Sequence, residues 1–442
     1  MLNQEFLSAL DGLEKSHDPD VLTIYSSDSM LTPSNSARLV LFPSNAADVL
    51  KILTACEKYG VSVVPSGGRT GLVGGATPLD GEVLLSLEKM NSIGEVNIDQ
   101  KTVWVEAGAT TRSVHEKCEK GGLYWPIDLA SKGSSQVGGN IATNAGGIHV
   151  VRYGMLRNWI ASIEVAFPNG DLIVFGSELV KDNTGLDLMQ LFIGSEGVLG
   201  VITRAELFLT EMPRPLMTSI ACFDHLETAS ELLSGSRKLP LALHTFEIMD
   251  QESVAIAGGS ISSKWCALIE VEENPELNTL NLVAPLSEAA ALKEFWLADS
   301  EEKRNRFWSW RESISESVKR VVATRGLIQK KMDVSLPYRS LVSFADRVND
   351  EFKENVWIFG HFGDGNLHLN FGFSSVLLAD QAEALVFCWI KELNGSISAE
   401  HGIGTLKRDE FLKWIDPNEL RLMRQVKKVF DPSGILNPGK MI

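Results

Sequence analysis

The chain reads as an α+β protein of two or three domains, and three observations predict this. Its 442 residues are too many for one ordinary core. Short strand-like runs alternate with amphipathic helical ones. The composition then shifts past Pro213 and Pro215, where prolines after a strand mark a domain boundary. Hydrophobic residues at 44% and charged residues at 22% belong to a folded globular chain. A formal net charge of -16 argues against nucleic acid as a partner, which needs clustered Lys and Arg to displace phosphate counterions. Cys56, Cys118, Cys222, Cys266 and Cys388 are scattered without a Cys-x-x-Cys pair, so reduced thiols are expected. The stretch Met1 to Leu7 lacks the basic and apolar regions of a secretory signal, and no uncharged run reaches the roughly eighteen residues of a spanning helix. A cytoplasmic protein without an integral membrane segment is expected, with homodimer among the states left open.

In chain order, residues 1 to 30 form a polar lead-in with a short amphipathic helix. From Ser44 to Tyr59, Val49, Ile52, Leu53 and Cys56 fall at helical spacing and Gly60 stops the run. The strand Val61-Ser62-Val63-Val64 feeds Pro65-Ser66-Gly67-Gly68-Arg69-Thr70-Gly71-Leu72-Val73-Gly74-Gly75-Ala76. Five glycines in nine residues allow positive φ and bare amides, the composition of a nest for a pyrophosphate-like anion. This loop is neither a Walker loop nor Gly-x-Gly-x-x-Gly. A strand at Thr102 to Gly108 and a helix at Thr111 to Lys120 lead to a second cluster: Pro126-Ile127-Asp128-Leu129, Gly133-Ser134-Ser135, then Gly138 to Gly147. Strands near Ile160 to Pro168 and Asp171 to Phe175, joined by the hairpin signal Asn169-Gly170, precede a third element, Phe192 to Thr203. Several such loops suit one long phosphorylated cofactor.

Past Pro215, Cys266 to Val271 reads as a strand and Glu272-Glu273-Asn274-Pro275-Glu276 as a solvated acidic turn. Phe307-Trp308-Ser309-Trp310-Arg311-Glu312 opens a helix whose tryptophans read as core. Asp416-Pro417-Asn418-Glu419 is a capping box, with Leu420, Met423, Val426 and Val429 as the apolar face behind it. Within this half, His361-Phe362-Gly363-Asp364-Gly365-Asn366-Leu367-His368 places two histidines on strand ends beside a tight turn. Ala399-Glu400-His401-Gly402 follows about thirty residues later. Two imidazoles and one carboxylate are the three-ligand pattern of a catalytic divalent ion with an open position, and suit zinc best. His361, His368 and Glu400 are the expected ligands. His401 remains as a base; because neighbours on a strand point in opposite directions, both need not face the ion, and a swapped assignment in which His401 also touches it stays open. Asp364 is expected to cap its own turn. Asn370 shares a strand face with His368 and is placed to hydrogen-bond a substrate.

The Ser66-to-Ala76 loop, the Gly138-to-Gly147 loop, Lys181-Asp182-Asn183-Thr184-Gly185 and Gly194 to Ile202 together resemble the vanillyl alcohol oxidase type of FAD-binding domain. Within that superfamily the chain is most similar to the D-2-hydroxyglutarate dehydrogenases, relatives of the D-lactate dehydrogenases and the glycolate oxidase catalytic subunit. The resemblance runs from about Val40 to Lys440. It implies a two-subdomain FAD-binding domain at 1–213, a substrate and metal-binding domain at 214–410 with an antiparallel sheet flanked by helices, and a tail at 411–442 returning to the FAD domain through Asn437-Pro438-Gly439-Lys440.

Carried over residue by residue, the resemblance places FAD on Gly67, Gly68, Arg69, Thr70, Gly71, Asp128, Ser134, Gly138, Asn140, Thr143, Gly146, Glu196, Gly197, Ile202, Asn437 and Lys440. Arg69-Thr70 stands where covalent members carry His, so non-covalent FAD is expected. His149 and Val150 depart from a stretch that commonly holds arginine, a tolerated variation expected near, not in, the cofactor site. Arg311 would face the substrate carboxylate, with Ser315 one turn on. Lys331, beside Lys330, would meet the distal carboxylate of a diacid. The implied activity is oxidation of a D-2-hydroxy acid, D-2-hydroxyglutarate first, with hydride passing to flavin N5 and His401 as base. An electron-transfer flavoprotein or a quinone is expected as acceptor ahead of oxygen. Alternatives are a D-lactate or glycolate dehydrogenase, or a non-catalytic flavin-binding subunit of an oxidase complex.

Overall fold

The structure is a computed structural model that describes residues 2–30, 36–179, 181–274 and 291–442. The described chain forms two compact units. The first gathers Met1–Gly147, Met155–Met212 and Glu400–Ile442, and the second gathers Ile148–Gly154 and Pro213–Ala399.

One four-stranded sheet of the first unit runs in the order Lys15–Ser16, Leu39–Leu41, Val83–Ser86, Val63–Ser66, and its last three strands are parallel. Parallel strands are covered on both faces, and accordingly Leu39, Val40, Leu41, Val83, Leu84 and Leu85 are all fully buried. The crossover is the helix Ala46–Tyr59, with Asn45 accepting from the Asp48 amide at its start and Gly60 at φ 63 ending it. Its expected stripe of Val49, Ile52, Leu53 and Cys56 is buried completely, each of the three aliphatic side chains contributing about 1.5–3 kcal/mol relative to exposure. The strand after it begins at Val63 rather than Val61 and runs through Pro65. It lies at the sheet's edge, where a missing N–H is tolerated. Leu436 bridges Val63 there: Val63 donates to the Ile435 carbonyl at 2.9 Å, and the Asn437 amide to the Val63 carbonyl at 2.8 Å.

The second four-stranded sheet, in the order Thr102–Glu106, Val201–Phe208, Ile160–Ala166, Leu172–Gly176, is antiparallel. The Asn169-Gly170 turn joins its last two strands, and the helix Thr111–Lys120 spans the expected residues. The helix Pro417–Phe430 starts on Asp416, which accepts from the Asn418 and Glu419 amides. Its apolar face differs from the expected one. Val429 is 74% exposed, whereas Val426 and Phe430 pack on the core, because Phe430 stands four residues past Val426 and so continues the stripe.

The second unit is built on a seven-stranded sheet, ordered Glu294–Leu297, Leu216–Phe223, Trp265–Glu272, Leu243–Asp250, Val356–Gly360, Asn366–Phe373, Ile328–Ser335 and antiparallel throughout. The helix expected to open at Phe307 starts earlier, at Glu301, on a Ser300 cap. Trp308 is in the core, its indole donating to Glu270 at 2.8 Å. Glu272, expected in a solvated acidic turn, ends its strand and accepts from Arg152 at 3.3 Å. Pro275 and Glu276 lie outside the described residues. His149 and Val150 belong to this second unit, where His149 packs edge-on against His244 at 4.2 Å between ring centroids. All five cysteines are free, and Cys388 alone is exposed. Among the described residues, no helix is long and apolar enough to cross a membrane.

His244 is 1% exposed, and neither ring nitrogen has a hydrogen-bond partner among the described residues. Burial pushes its pKa below the ordinary 6.5, and Arg152 and Arg304 add to the shift while Glu270 and Glu272 oppose it. A base whose folded pKa is depressed takes up protons preferentially in the unfolded chain. The protein should therefore lose stability as pH falls below about 6.5, and His244→Leu should flatten that slope. Chemical unfolding at a series of pH values checks this; an unchanged slope in the variant would remove His244 from the explanation.

Candidate active site

Two glycine-rich loops of the first unit and the Ser195–Ile202 segment line one cavity. Of the residues expected to hold a cofactor, Gly67, Gly68, Arg69, Thr70, Gly71, Gly138, Asn140, Thr143, Glu196, Gly197 and Ile202 face it, and His401 joins them. Asp128, Ser134, Gly146, Asn437 and Lys440 lie outside its wall. Ser134 backs the wall instead: a Cβ at Gly68 would sit 1.9 Å from the Ser134 carbonyl oxygen, so only glycine fits there. Asp128 pairs with Lys132 at 2.9 Å. Asn437 ties the loops together, donating to the carbonyls of Gly75 at 3.0 Å and Glu196 at 2.7 Å. Lys440 is fully buried with no hydrogen bond to its Nζ among the described residues. Burial lowers its pKa to about 8, against the opposing pull of Glu82.

The cavity stores strain and unspent polarity. Arg69 and Glu196 hold φ values of 56° and 52°, a region non-glycine residues rarely occupy outside functional sites. The Arg69 guanidinium covers the Tyr25 ring at 4.1 Å. Arg69 Nη1, Ser66 Oγ and Gln136 Oε1 are buried without hydrogen-bond partners among the described residues. The Glu196 carboxylate is spent on a clamp, accepting from the Ile403 and Gly404 amides at 2.7 Å each. That fixes the backbone immediately after His401. Glu400 and His401 lie in bends, not on a strand, so strand alternation does not set their directions. Glu400 Oε1 accepts from the Gly147 amide at 3.1 Å.

In the second unit the two expected histidine ligands come together. His361 follows the strand Val356–Gly360, and a short turn at Phe362–Asp364 separates it from the strand Asn366–Phe373. His368 is thus inside its strand, in register with Phe359 and Asp333, rather than at the strand end. The His361 and His368 ring centroids are 5.0 Å apart. Asp364 caps its own turn as expected, accepting from the Asn366 amide at 3.3 Å.

Each of these histidines is backed by a buried acid. His361 Nδ1 meets Glu247 Oε1 at 2.6 Å, and His368 Nδ1 meets Asp333 Oδ1 at 3.5 Å. The other Glu247 oxygen accepts from Arg311 Nε at 2.6 Å. Burial alone would raise the Glu247 carboxyl, but His361 and Arg311 hold it down at about 2. Arg311 also lies over the Phe359 ring at 4.9 Å. Ser315 is exposed one turn along the same helix. On the strand Ile328–Ser335, Lys330 is spent on Asp380 and Glu383 at 3.4 and 2.6 Å. Lys331 is half-buried, opposite Asn370 in register, and forms no ion pair among the described residues. Its pKa is lowered by burial and then by Lys319, which outweigh Glu316.

The family models agree on what such loops bind. Residues 37–176 match an FAD binding domain, and residues 212–441 match the C-terminal domain of FAD linked oxidases. The chain belongs to the FAD-linked oxidases. It is 36% identical over 452 residues to a D-2-hydroxyglutarate dehydrogenase of Stutzerimonas stutzeri, covering 96% of this chain and 95% of the relative. It is 33% identical over 460 residues to one from Xanthomonas citri pv. viticola, covering 98% and 95%. Among solved structures, 4-ethylphenol oxidase from Gulosibacter chungangensis superposes with a TM-score of 0.77 at 17% identity, over 100% of this chain and 98% of that one. An alkyldihydroxyacetonephosphate synthase does so at 0.77 and 17%, over 99% and 86%. At those identities the likeness shows the fold of the vanillyl alcohol oxidase type.

FAD fits this FAD-linked oxidase at the glycine-loop cavity on the structure's own terms. Side-chain-free backbone lines the wall, and the unpartnered Ser66, Arg69 and Gln136 atoms are those a phosphorylated, hydrogen-bonding cofactor would satisfy. Sequence reasoning missed Glu247, Asp333 and the clamping role of Glu196. The only local signal for Glu247 and Asp333 is an acid inside an apolar strand, which must find a partner when buried. Carboxylates behind metal-binding histidines typically govern affinity by about 10–100-fold. For a divalent ion held by His361 and His368, Glu247→Gln should therefore weaken binding by about that much, as read by competition with a chromophoric chelator. Affinity equal to that of the unsubstituted protein would show that Glu247 serves Arg311 alone.

Proposed function

We propose that the protein is an FAD-dependent, metal-assisted dehydrogenase of D-2-hydroxy acids, with D-2-hydroxyglutarate as the lead substrate. The observation that carries this reading is the pairing of His361 with His368, each held through Nδ1 by a buried acid. That arrangement makes Nε2 the nitrogen offered to a metal, and the ligand pattern of the sequence supplies the Glu400 carboxylate as the third member of the set. Substrate class and hand rest on the D-2-hydroxyglutarate dehydrogenases at 33–36% identity over nearly the whole chain.

FAD, when bound, supplies the hydride acceptor, and a divalent ion, best zinc from this ligand set, supplies a Lewis acid for the hydroxy-carboxylate end of the substrate. The residues do the rest. His401, on the cavity wall with its following backbone clamped by Glu196, takes the hydroxyl proton, a task suited to imidazole near neutrality. Arg311, steadied by Glu247, presents the terminal nitrogens of its fork to a carboxylate. Asn370 donates a hydrogen bond from the His368 face of its strand. Lys331 meets the distal carboxylate. Lys330 is committed to two acids, which leaves Lys331 as the lysine with unspent charge, and Lys319 and Arg311 add positive potential to the same substrate.

His401→Gln should lower kcat by on the order of a hundredfold or more, measured with an artificial electron acceptor; a near-normal rate would move the base elsewhere. Lys331→Ala should raise KM for D-2-hydroxyglutarate by about tenfold or more, the value of one charge-assisted hydrogen bond, while leaving D-lactate turnover nearly unchanged. Equal effects on both substrates would favour the monocarboxylate reading. Prolonged chelation that spared turnover would exclude a catalytic ion.

A further inference from the structure

On the first unit, the start of the helix Arg408–Trp414, the helix Pro417–Phe430 and the turn at Asp431–Gly434 line an open cavity of about 390 Å³ at the surface. Its wall carries Arg408, Arg424, Lys427 and Lys428, with the Asp431 side chain and the last residue, Ile442, beside them. Asp431 is consumed locally. It pairs with Lys427 at 2.7 Å and accepts from the Ile435 and Leu436 amides at 3.0 and 2.9 Å. Lys427 is equally committed, its Nζ also donating to the Val198 and Leu436 carbonyls at 2.9 and 3.0 Å. The Ser433 hydroxyl is turned to Glu57 at 2.6 Å.

Three cations keep donor groups to spare. Arg424 and Lys428 form no ion pair among the described residues, and they stand four apart on one helix face, an arrangement of like charges that costs stability unless an anion offsets it. Arg408 reaches an acid only in its exposed neighbour Asp409, at 4.0 Å. Its Nε is buried without a hydrogen-bond partner among the described residues. In a chain with 57 acidic and 41 basic side chains, Arg408, Arg424 and Lys428 gather on one concavity whose lining aspartate, Asp431, is already paired with Lys427. Planar guanidinium forks match phosphate geometry, and the volume accommodates a small organic phosphate.

We propose that this cavity binds a small phosphate-bearing anion, held by Arg408, Arg424 and Lys428, at a site separate from the flavin cavity. The test is calorimetric titration of the FAD-loaded full chain with inorganic phosphate, beside the Arg424→Gln/Lys428→Gln variant. Both substituted positions are exposed, and the flavin absorbance spectrum checks that the variant is folded and loaded. One saturable site is expected, weakened by about tenfold or more in the variant, since a charge-assisted hydrogen bond to the anion is worth about that factor. AMP binding more tightly than phosphate would identify an organic phosphate as the natural ligand, and equal binding would identify the free ion. No saturable binding at millimolar phosphate, undiminished binding in the variant, or citrate binding more tightly than any phosphate would overturn the proposal.

Discussion

A single buried carboxylate organises the second unit. Glu247 is 1% exposed and gives one oxygen to His361 and the other to Arg311. An unpaired carboxylate at that depth would be too costly to keep ionised, and removing one partner from a buried ion pair typically costs about 3–5 kcal/mol. The three side chains therefore stand or fall together. Glu247 sits on a central strand, His361 just past the neighbouring strand, and Arg311 on the long helix Glu301–Thr324. The sheet and helix are locked in register by the same charges that orient an imidazole and a cationic fork. Asp333 plays a lighter version of this part for His368: it also accepts from the Asn366 side chain at 2.7 Å, so it fixes the turn as well as the ring.

In the first unit the corresponding constraint is backbone rather than side chain. The glycine loops can approach one another because Gly68 and its like carry no Cβ, and the gap is then stitched by atoms from late in the sequence. Asn437 reaches the Gly75 and Glu196 carbonyls, and the Glu196 carboxylate reaches the Ile403 and Gly404 amides. Burial raises the Glu196 pKa while those amides and Lys407 draw it down. The left-handed φ of Glu196 is the conformational cost of turning its carboxylate to the segment that follows His401.

What could be read from the sequence was what local chemistry writes locally. The Asp416 cap, the Gly60 stop, the Asn169-Gly170 hairpin and the glycine loops all act within a few residues, and so does the pairing of His361 with His368. Glu400 could be named beside them because its residue type completes a familiar ligand set. Glu247 could not, because its partners lie 64 and 114 positions away and an acid in an apolar strand does not say which cation it will meet. The ambiguity between Lys330 and Lys331 had the same origin: Asp380 and Glu383, which claim Lys330, are on a helix some fifty residues on. Val429 was misassigned because a three-residue step from Val426 and a four-residue step to Phe430 look equally helical until a core is present to choose between them.

The division of the chain has a consequence for how the molecule is made. The second unit, its early Ile148–Gly154 stretch included, is complete once Ala399 has been added. The first unit must wait for Glu400–Ile442, because the bridge from Leu436 to Val63 and the Glu196 clamp both draw on that last stretch. On a ribosome, the glycine loops therefore emerge early and remain open through the synthesis of about 250 further residues or more. Joining Leu436 to Val63 spans nearly the whole chain, a slow kind of event in folding. The flavin cavity is thus among the last parts of the protein to be finished, and until then the unpaired edge of its parallel sheet is exposed to chaperones and to aggregation.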